Sequence, residues 1–145
     1  MTFSYQKIKQ NDSILEDWKR YLDPTQKAVF ESELSDFEWH AVLDGDKKII
    51  AVFQIINVLD KYAKNLNIHF HPTFKKDDDN IINIIIFIYN SMLLICKKKD
   101  IKKLKLYIDD SLILNIFMII TTHQAENKDI MKAKNYGKWI EIQMK

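Results

Sequence analysis

The sequence predicts an α/β fold in which strands and helices alternate around a mixed sheet, and three observations predict it. From Asn65 onward the units run strand, acidic turn, apolar helix, strand, apolar helix: Asn65–Phe70, His71–Asn80, Ile81–Lys97, Leu104–Ile108 and Ser111–His123. Upstream, Phe37, Trp39, Ala41 and Leu43 alternate with Glu38, His40 and Val42 at the period of a strand, and Asp44-Gly45 then signals a hairpin. A strand running into a helix N-terminus is also the usual place where an α/β protein holds an anionic ligand, because free N–H groups and the helix dipole converge there.

Taken in order, Phe3–Ile8 forms a first strand. Ser13 and Glu16 make a capping box that opens a helix, and Ile14, Leu15, Trp18, Tyr21 and Leu22 share one face of it. Asp23-Pro24 ends that helix and starts another, carrying Val29, Phe30 and Leu34. After the hairpin, Lys48–Asn57 returns as a continuously apolar strand, suited to being covered on both faces. Asp60–Asn65 reads as a polar turn into the strand Leu66–Phe70. The β-branched residues after Ile81 favour a strand, but the length of the run decides for a helix. Its polar stripe of Asn80, Asn83, Asn90 and Ser91 leaves most of the circumference to be buried. Asp109 and Asp110 are candidate caps for the helix from Ser111. Tyr136–Met144, with Trp139, Ile140 and Ile142, reads as a final strand after Gly137. The order β-α-α-β-β-β-α-β-α-β, without an internal repeat or a Pro/Gly-rich boundary, fits a single domain over residues 1–145.

Composition narrows the classes. A chain of 145 residues can bury a core, and 47% hydrophobic residues with three Trp exclude a disordered chain. A net charge of +2 is too small for steering by a large basic field. All but one of the 22 basic residues are Lys, so only Arg20 offers the bidentate fork suited to guanine edges; no specific nucleic-acid partner is expected. The single cysteine, Cys96, removes intramolecular disulfides and thiolate-built zinc sites, and beside Leu93, Leu94 and Ile95 it reads as a buried, inert thiol. Ile81–Cys96 contains Asn83 and Asn90 and is shorter than the roughly 20 apolar residues a membrane span needs. The N-terminus has no apolar signal core, which predicts a cytoplasmic protein without a membrane partner.

Chemistry-bearing motifs are sparse. Asn67, His69 and His71 fall on one strand face, but zinc needs a third ligand that no spacing signals, so no metal is expected. Lys97–Lys105 (KKKDIKKLK) reads as a helix C-terminus that favours cations followed by a solvated strand entrance; the alternative is a phosphate-contacting patch. His40 and His123 are isolated. Two glycines in total exclude glycine-rich nucleotide loops, and no Gly-x-Ser-x-Gly elbow is present.

With LNIHFHPTF entering a helix, KKLKLYIDDSLILNIF as strand into helix and YGKWIEIQM as a late strand, the order resembles the GNAT acyltransferase superfamily over nearly the whole chain. The resemblance implies a GNAT-like mixed sheet with central helix 81–97. It implies an acyl-CoA-dependent N-acyltransferase that moves an acyl group from acetyl-CoA or another acyl-CoA to an amine acceptor, largely by positioning the reactants. The pyrophosphate would meet the loop Phe74–Asn80, which makes Lys75, Lys76, Asp79 and Asn80 cofactor-binding residues, and Phe70-His71 would lend backbone groups to the pantetheine arm. His69 would border the acyl notch as a candidate catalytic base, since imidazole titrates near neutrality.

The chain departs from that family in three places. The family loop typically reads Arg/Gln-x-x-Gly-x-Gly/Ala, whereas this chain has Lys75-Lys76-Asp77-Asp78-Asp79-Asn80. At an effective dielectric near 20, like charges ~5 Å apart cost roughly 3 kcal/mol, so the three carboxylates oppose a pyrophosphate. Phe117 stands where the family often has a Tyr that protonates the departing thiolate. About one strand, rather than a hairpin of two, follows the last helix, so the second would be absent or donated by a partner; an exposed edge makes a homodimer an expectation. Together the departures define an alternative: a catalytically degenerate GNAT-like interaction or inhibitor protein, with a protein partner, that does not turn over acyl-CoA.

Overall fold

The computed structural model describes residues 2–9, 12–36, 38–59, 61–65, 68–75, 80–108, 110–123 and 130–145. Strands β1 (Ser4–Ile8), β2 (Glu38–Leu43), β3 (Ile49–Leu59), β4 (Tyr62–Asn65), β5 (Ile68–Phe70), β6 (Lys103–Tyr107), β7 (Ile130–Asn135) and β8 (Trp139–Met144) are combined with helices α1 (Glu16–Lys19), α2 (Pro24–Asp36), α3 (Ile81–Lys98) and α4 (Ser111–His123). The sheet is mixed, with strand order β1-β2-β3-β4-β6-β8-β7 and β5 beside β3. The chain forms two compact units, Met1–Gln54 with Ile68–Asp78, and Ile55–Asn67 with Asp79–Lys145.

In the first unit, β1 lies antiparallel to β2 with Ile8 opposite Trp39, and β5 lies antiparallel to β3 with Phe70 opposite Ala51. Ile8, Leu15, Trp18, Phe30, Trp39 and Val52 belong to its buried core, where the Trp18 ring stacks on Phe30 at 5.3 Å. The capping box expected at Ser13 is not formed. Asp12 stands at the N-cap of a short 3-10 turn (Ser13–Leu15), and its carboxylate turns back to accept the Lys9 N–H at 2.8 Å. The reciprocal box occurs one helix later: Asp23 Oδ1 accepts the Gln26 N–H at 2.8 Å, and Gln26 Oε1 accepts the Asp23 N–H at 3.0 Å. Pro24 follows at the first helical position, where its missing N–H costs nothing. The hairpin expected at Asp44-Gly45 is present; Asp44 Oδ1 accepts the N–H groups of Asp46 and Lys48, each at 2.9 Å, and Lys47 takes the left-handed conformation.

In the second unit, β4 runs parallel to β6 with Ala63 beside Leu104, and β8 is antiparallel to both β6 and β7. Two strands here were not expected. The presumed polar turn Asp60–Asn65 contains β4, in which Ala63 is fully buried while Tyr62 and Lys64 take the other face. Period-2 alternation needs only one apolar residue in two, and alanine gave too weak a signal. β7 pairs with β8 through a turn where Gly137 has φ 87°, so both strands of the terminal hairpin come from this chain. That corrects the expected shortage of a strand; Lys132 and Lys134 around Ala133 made β7 too polar to recognise.

Helix α3 matches its expected span within a residue and packs beside α4. By length and composition it could cross a membrane, yet more than half of it is buried within the fold. Asn83 and Asn90 are exposed as expected, but Ser91 is buried, its hydroxyl donating to the Phe87 carbonyl at 2.7 Å. The helix ends in a Schellman motif: the Ile101 N–H reaches the Cys96 carbonyl at 2.8 Å, the Asp100 N–H reaches Lys97 at 3.2 Å, and Asp100 sits at φ 55°. Lys97 and Lys98 in the last turn fulfil the helix-end reading of the lysine run. At α4, Asp110 Oδ1 caps the Ile113 N–H at 3.1 Å, as expected.

Candidate functional site

The residues expected to meet a ligand begin on β5. His71 donates its N–H to the Ile50 carbonyl at 2.7 Å, continuing the register in which Phe70 faces Ala51. In an antiparallel ladder hydrogen-bonded pairs alternate with non-bonded ones. Phe70 is therefore a non-bonded position, and its N–H and C=O point away from β3. Among the described residues β5 pairs with β3 alone. Of the two residues expected to lend backbone groups, Phe70 has them oriented outward, whereas the His71 N–H is already committed.

The His71 side chain is committed as well. Thr73 donates its N–H to Nδ1 at 3.2 Å, which makes Nδ1 an acceptor and leaves the proton on Nε2. Nε2 then donates to Asp17 Oδ2 at 3.1 Å, and the Thr73 hydroxyl lies 2.8 Å from Nδ1. The imidazole is buried, with Trp18 and Tyr21 presented edge-on, each ring centre 5.3 Å away. A hydrogen bond from the Arg20 guanidinium, backed by its charge and by His71, holds the Asp17 carboxyl below its ordinary range. Asp17, His71, Thr73 and Lys75 line an open cleft of about 860 Å³, together with Lys47 and Lys48 of the hairpin turn. Asp17 and Thr73 had no signal in the sequence: Asp17 lies 54 residues from His71 and Thr73 shows no motif spacing.

His69 has different surroundings. Its ring stacks on Trp39 at 5.6 Å and meets Phe30 edge-on at 6.3 Å. It lines a largely apolar cavity of about 380 Å³ with Trp18, Leu22, Phe70 and Pro72. Asn80 occupies the N-cap of α3 without a side-chain cap, and its carbonyl accepts the Ile84 N–H at 3.0 Å. Lys76 and Asp79, with Asp77 and Asp78, lie outside the described residues. Among the described residues no group of three His, Cys, Asp or Glu side chains could hold a metal. Phe117 is fully buried on α4 beside Tyr89, their ring centres 6.2 Å apart. Burial pushes the Cys96 thiol up to about 12, which fits an inert thiol.

No family model and no curated protein sequence matches the chain. Solved structures do. An IAA acetyltransferase from Bacillus cereus matches at TM-score 0.56 and 12% identity, over 99% of this chain and 99% of its own. A GNAT family acetyltransferase from Elizabethkingia anophelis, solved with acetyl-CoA bound, matches at 0.58 and 14% identity, over 99% and 97%. The PaiA N-acetyltransferase from Thermoplasma acidophilum, in complex with coenzyme A, matches at 0.55 and 15% identity over 100% of both chains. Likeness at these identities, over nearly the whole length of both chains, is one of architecture, so that the chain is a divergent representative of the GNAT fold.

Proposed function

We propose that this protein is a cytoplasmic, acyl-CoA-dependent N-acyltransferase that passes the acyl group to an amine. The observation that carries the reading is the backbone of Phe70, whose N–H and C=O face outward at the end of β5. An extended pantetheine amide can add there as a peptide adds to a sheet edge. Bound acyl-CoA supplies an activated thioester carbonyl; the protein's task is to hold both reactants and to accept a proton. Lys75, exposed in its cleft, offers an ammonium to phosphate in this reading. His71 leaves it, because its N–H and ring are both engaged. His69 takes the proton from the amine, its ring fixed by Trp39 and Phe30, and the apolar cavity beside it accepts the acceptor's carbon skeleton.

The test is calorimetric titration with acetyl-CoA, followed by thiol release with a panel of amines. Binding is expected, and His69→Ala should slow turnover at least tenfold while leaving the thermal midpoint within a few degrees. No binding at millimolar acetyl-CoA would overturn the proposal.

A second reading, a GNAT-fold interaction or inhibitor protein without turnover, is favoured by the fully buried Phe117, which puts no hydroxyl where the family often has an acid. It gains from the same null titration. A homodimer no longer needs to provide a strand, since β7 and β8 complete the hairpin within one chain. Light scattering at micromolar concentration decides between monomer and dimer.

A further inference from the structure

The second unit has a sheet face that its helices leave for another use. Registers between β4, β6, β8 and β7 set Tyr62, Lys64, Lys103, Lys105 and Tyr107 on one face with Trp139, Glu141, Gln143, Lys132 and Lys134. The opposite face holds the buried Ala63, Leu104, Leu106, Ile140 and Ile142. Lys64 and Lys105 stand directly side by side across the parallel pair, where like charges repel. They diverge over aromatic rings: Lys64 Nζ lies 5.8 Å from the Tyr107 ring centre, and Lys105 Nζ lies 5.8 Å from Tyr62 and 4.3 Å from Trp139. Tyr136, 44% exposed, stacks on Trp139 at 3.9 Å and carries Lys134 at 5.3 Å. Glu141 is the one carboxylate that these registers put on the face. It is paired with Lys103 at 3.8 Å, which leaves the face strongly positive.

We propose that this face binds single-stranded nucleic acid without sequence preference. A four-stranded sheet that presents aromatic rings and cations matches what an unpaired strand offers, a phosphate chain and stackable bases. Charge complementarity selects a polyanion, and the interleaved rings select one that carries flat aromatic groups. Each lysine can exchange its ring for a phosphate while a base takes the vacated ring; solvent-facing cation–π contacts are weaker than base stacking, so the exchange is favourable. Arg20 is absent from the face, so nothing on it matches the fork that reads guanine edges; the recognition is of chain and ring, not sequence. The run Lys97–Lys105 is thereby divided: Lys97 and Lys98 serve the helix end, Lys102 pairs with Asp100, and Lys103 and Lys105 serve the face.

The experiment is fluorescence anisotropy of labelled oligouridylate and oligothymidylate, about a dozen nucleotides long, with a duplex of equal length and polyglutamate as competitors. Binding is expected to quench Trp139-region fluorescence and to weaken steeply as salt rises. Lys132→Glu with Lys134→Glu, both exposed, should cost at least tenfold in affinity, and Tyr136→Ala about fivefold, with melting curves unchanged. No binding at low salt overturns the proposal. So does equal competition by duplex or polyglutamate with an unaltered Tyr136→Ala, since that would be charge alone. Acetyl-CoA titration of the same variants should be unchanged, which keeps the result separate from the acyltransferase reading.

Discussion

Replacing Tyr89 by Phe is expected to stabilise the protein, which makes it a sharper test of the second unit than any truncation. Tyr89 lies on the buried side of α3 and is 1% exposed. Its hydroxyl has no hydrogen-bond partner among the described residues. Burial pushes the phenol up to about 12, and the Thr121 hydroxyl, itself donated to the Phe117 carbonyl at 2.7 Å, offsets only part of that. A buried hydroxyl without a partner costs about 1–3 kcal/mol. Deleting one oxygen leaves a void smaller than a methyl group, at a cost of about 1 kcal/mol or less. The net expectation is a gain of about 1 kcal/mol, or about 2–4 °C in Tm for a chain of this length. The pH dependence gives a second reading of the same group. A folded value of about 12 against the ordinary 10.0 means that this group's stability is fully present below pH 10.0 and is lost as pH rises through 12. The wild type should lose up to about 3 kcal/mol in that window from Tyr89, and the Phe variant none of it. Cys96, raised from 9.0 to about 12 by burial, adds an alkaline loss that begins lower and persists in both proteins. Urea melts followed by circular dichroism, near neutrality and near pH 11, measure both effects. A variant destabilised by about 1 kcal/mol or more near neutrality would mean that the hydroxyl is bonded, and the reasoning would fail.

Asp23→Ala removes one arm of the Asp23–Gln26 box and should cost about 1 kcal/mol in a urea melt, whereas Ser13→Ala should cost far less. Asp100→Gly relieves a left-handed residue at the end of α3 and gives up only solvent-exposed ion pairs to Lys61 and Lys102, so its urea midpoint should be unchanged or slightly raised. Leu104→Ala, at a fully buried position of β6, should cost about 2–5 kcal/mol by the same assay. Arg20→Ala should raise the Asp17 carboxyl toward its ordinary value in an NMR titration. A depressed carboxylate contributes stability above the ordinary value and loses it as pH falls through the lowered one, so the variant should lose less stability to Asp17 on acidification than the wild type.

What the sequence disclosed depended on how strongly each segment advertised its period. β3, α3 and α4 carry long apolar runs and were legible almost to the residue. β4 and β7 were not, because each buries one face through alanine or a single isoleucine while presenting lysines on the other. The early helix was mis-capped because Ser13–Glu16 satisfies the spacing rule, whereas Asp12 stands at the N-cap and its carboxylate is taken by the Lys9 N–H three residues earlier. The candidate site was legible only along β5. His69, Phe70 and His71 could be named from the strand, but which of them is available depended on ladder parity and on Asp17, a partner supplied by folding alone.

Strand β8 lies between β6 and β7 although it follows both in the chain. During synthesis, β6 therefore waits with one flank unpaired until the segment through Met144 has emerged. The hairpin then closes that flank as a unit, β8 pairing with β6 and β7 forming the rim of the second unit's sheet. Ribosome-bound intermediates of this protein should accordingly be good clients for chaperones that shield open strands, and premature termination within Trp139–Met144 should lead to proteolysis rather than a shortened but folded product.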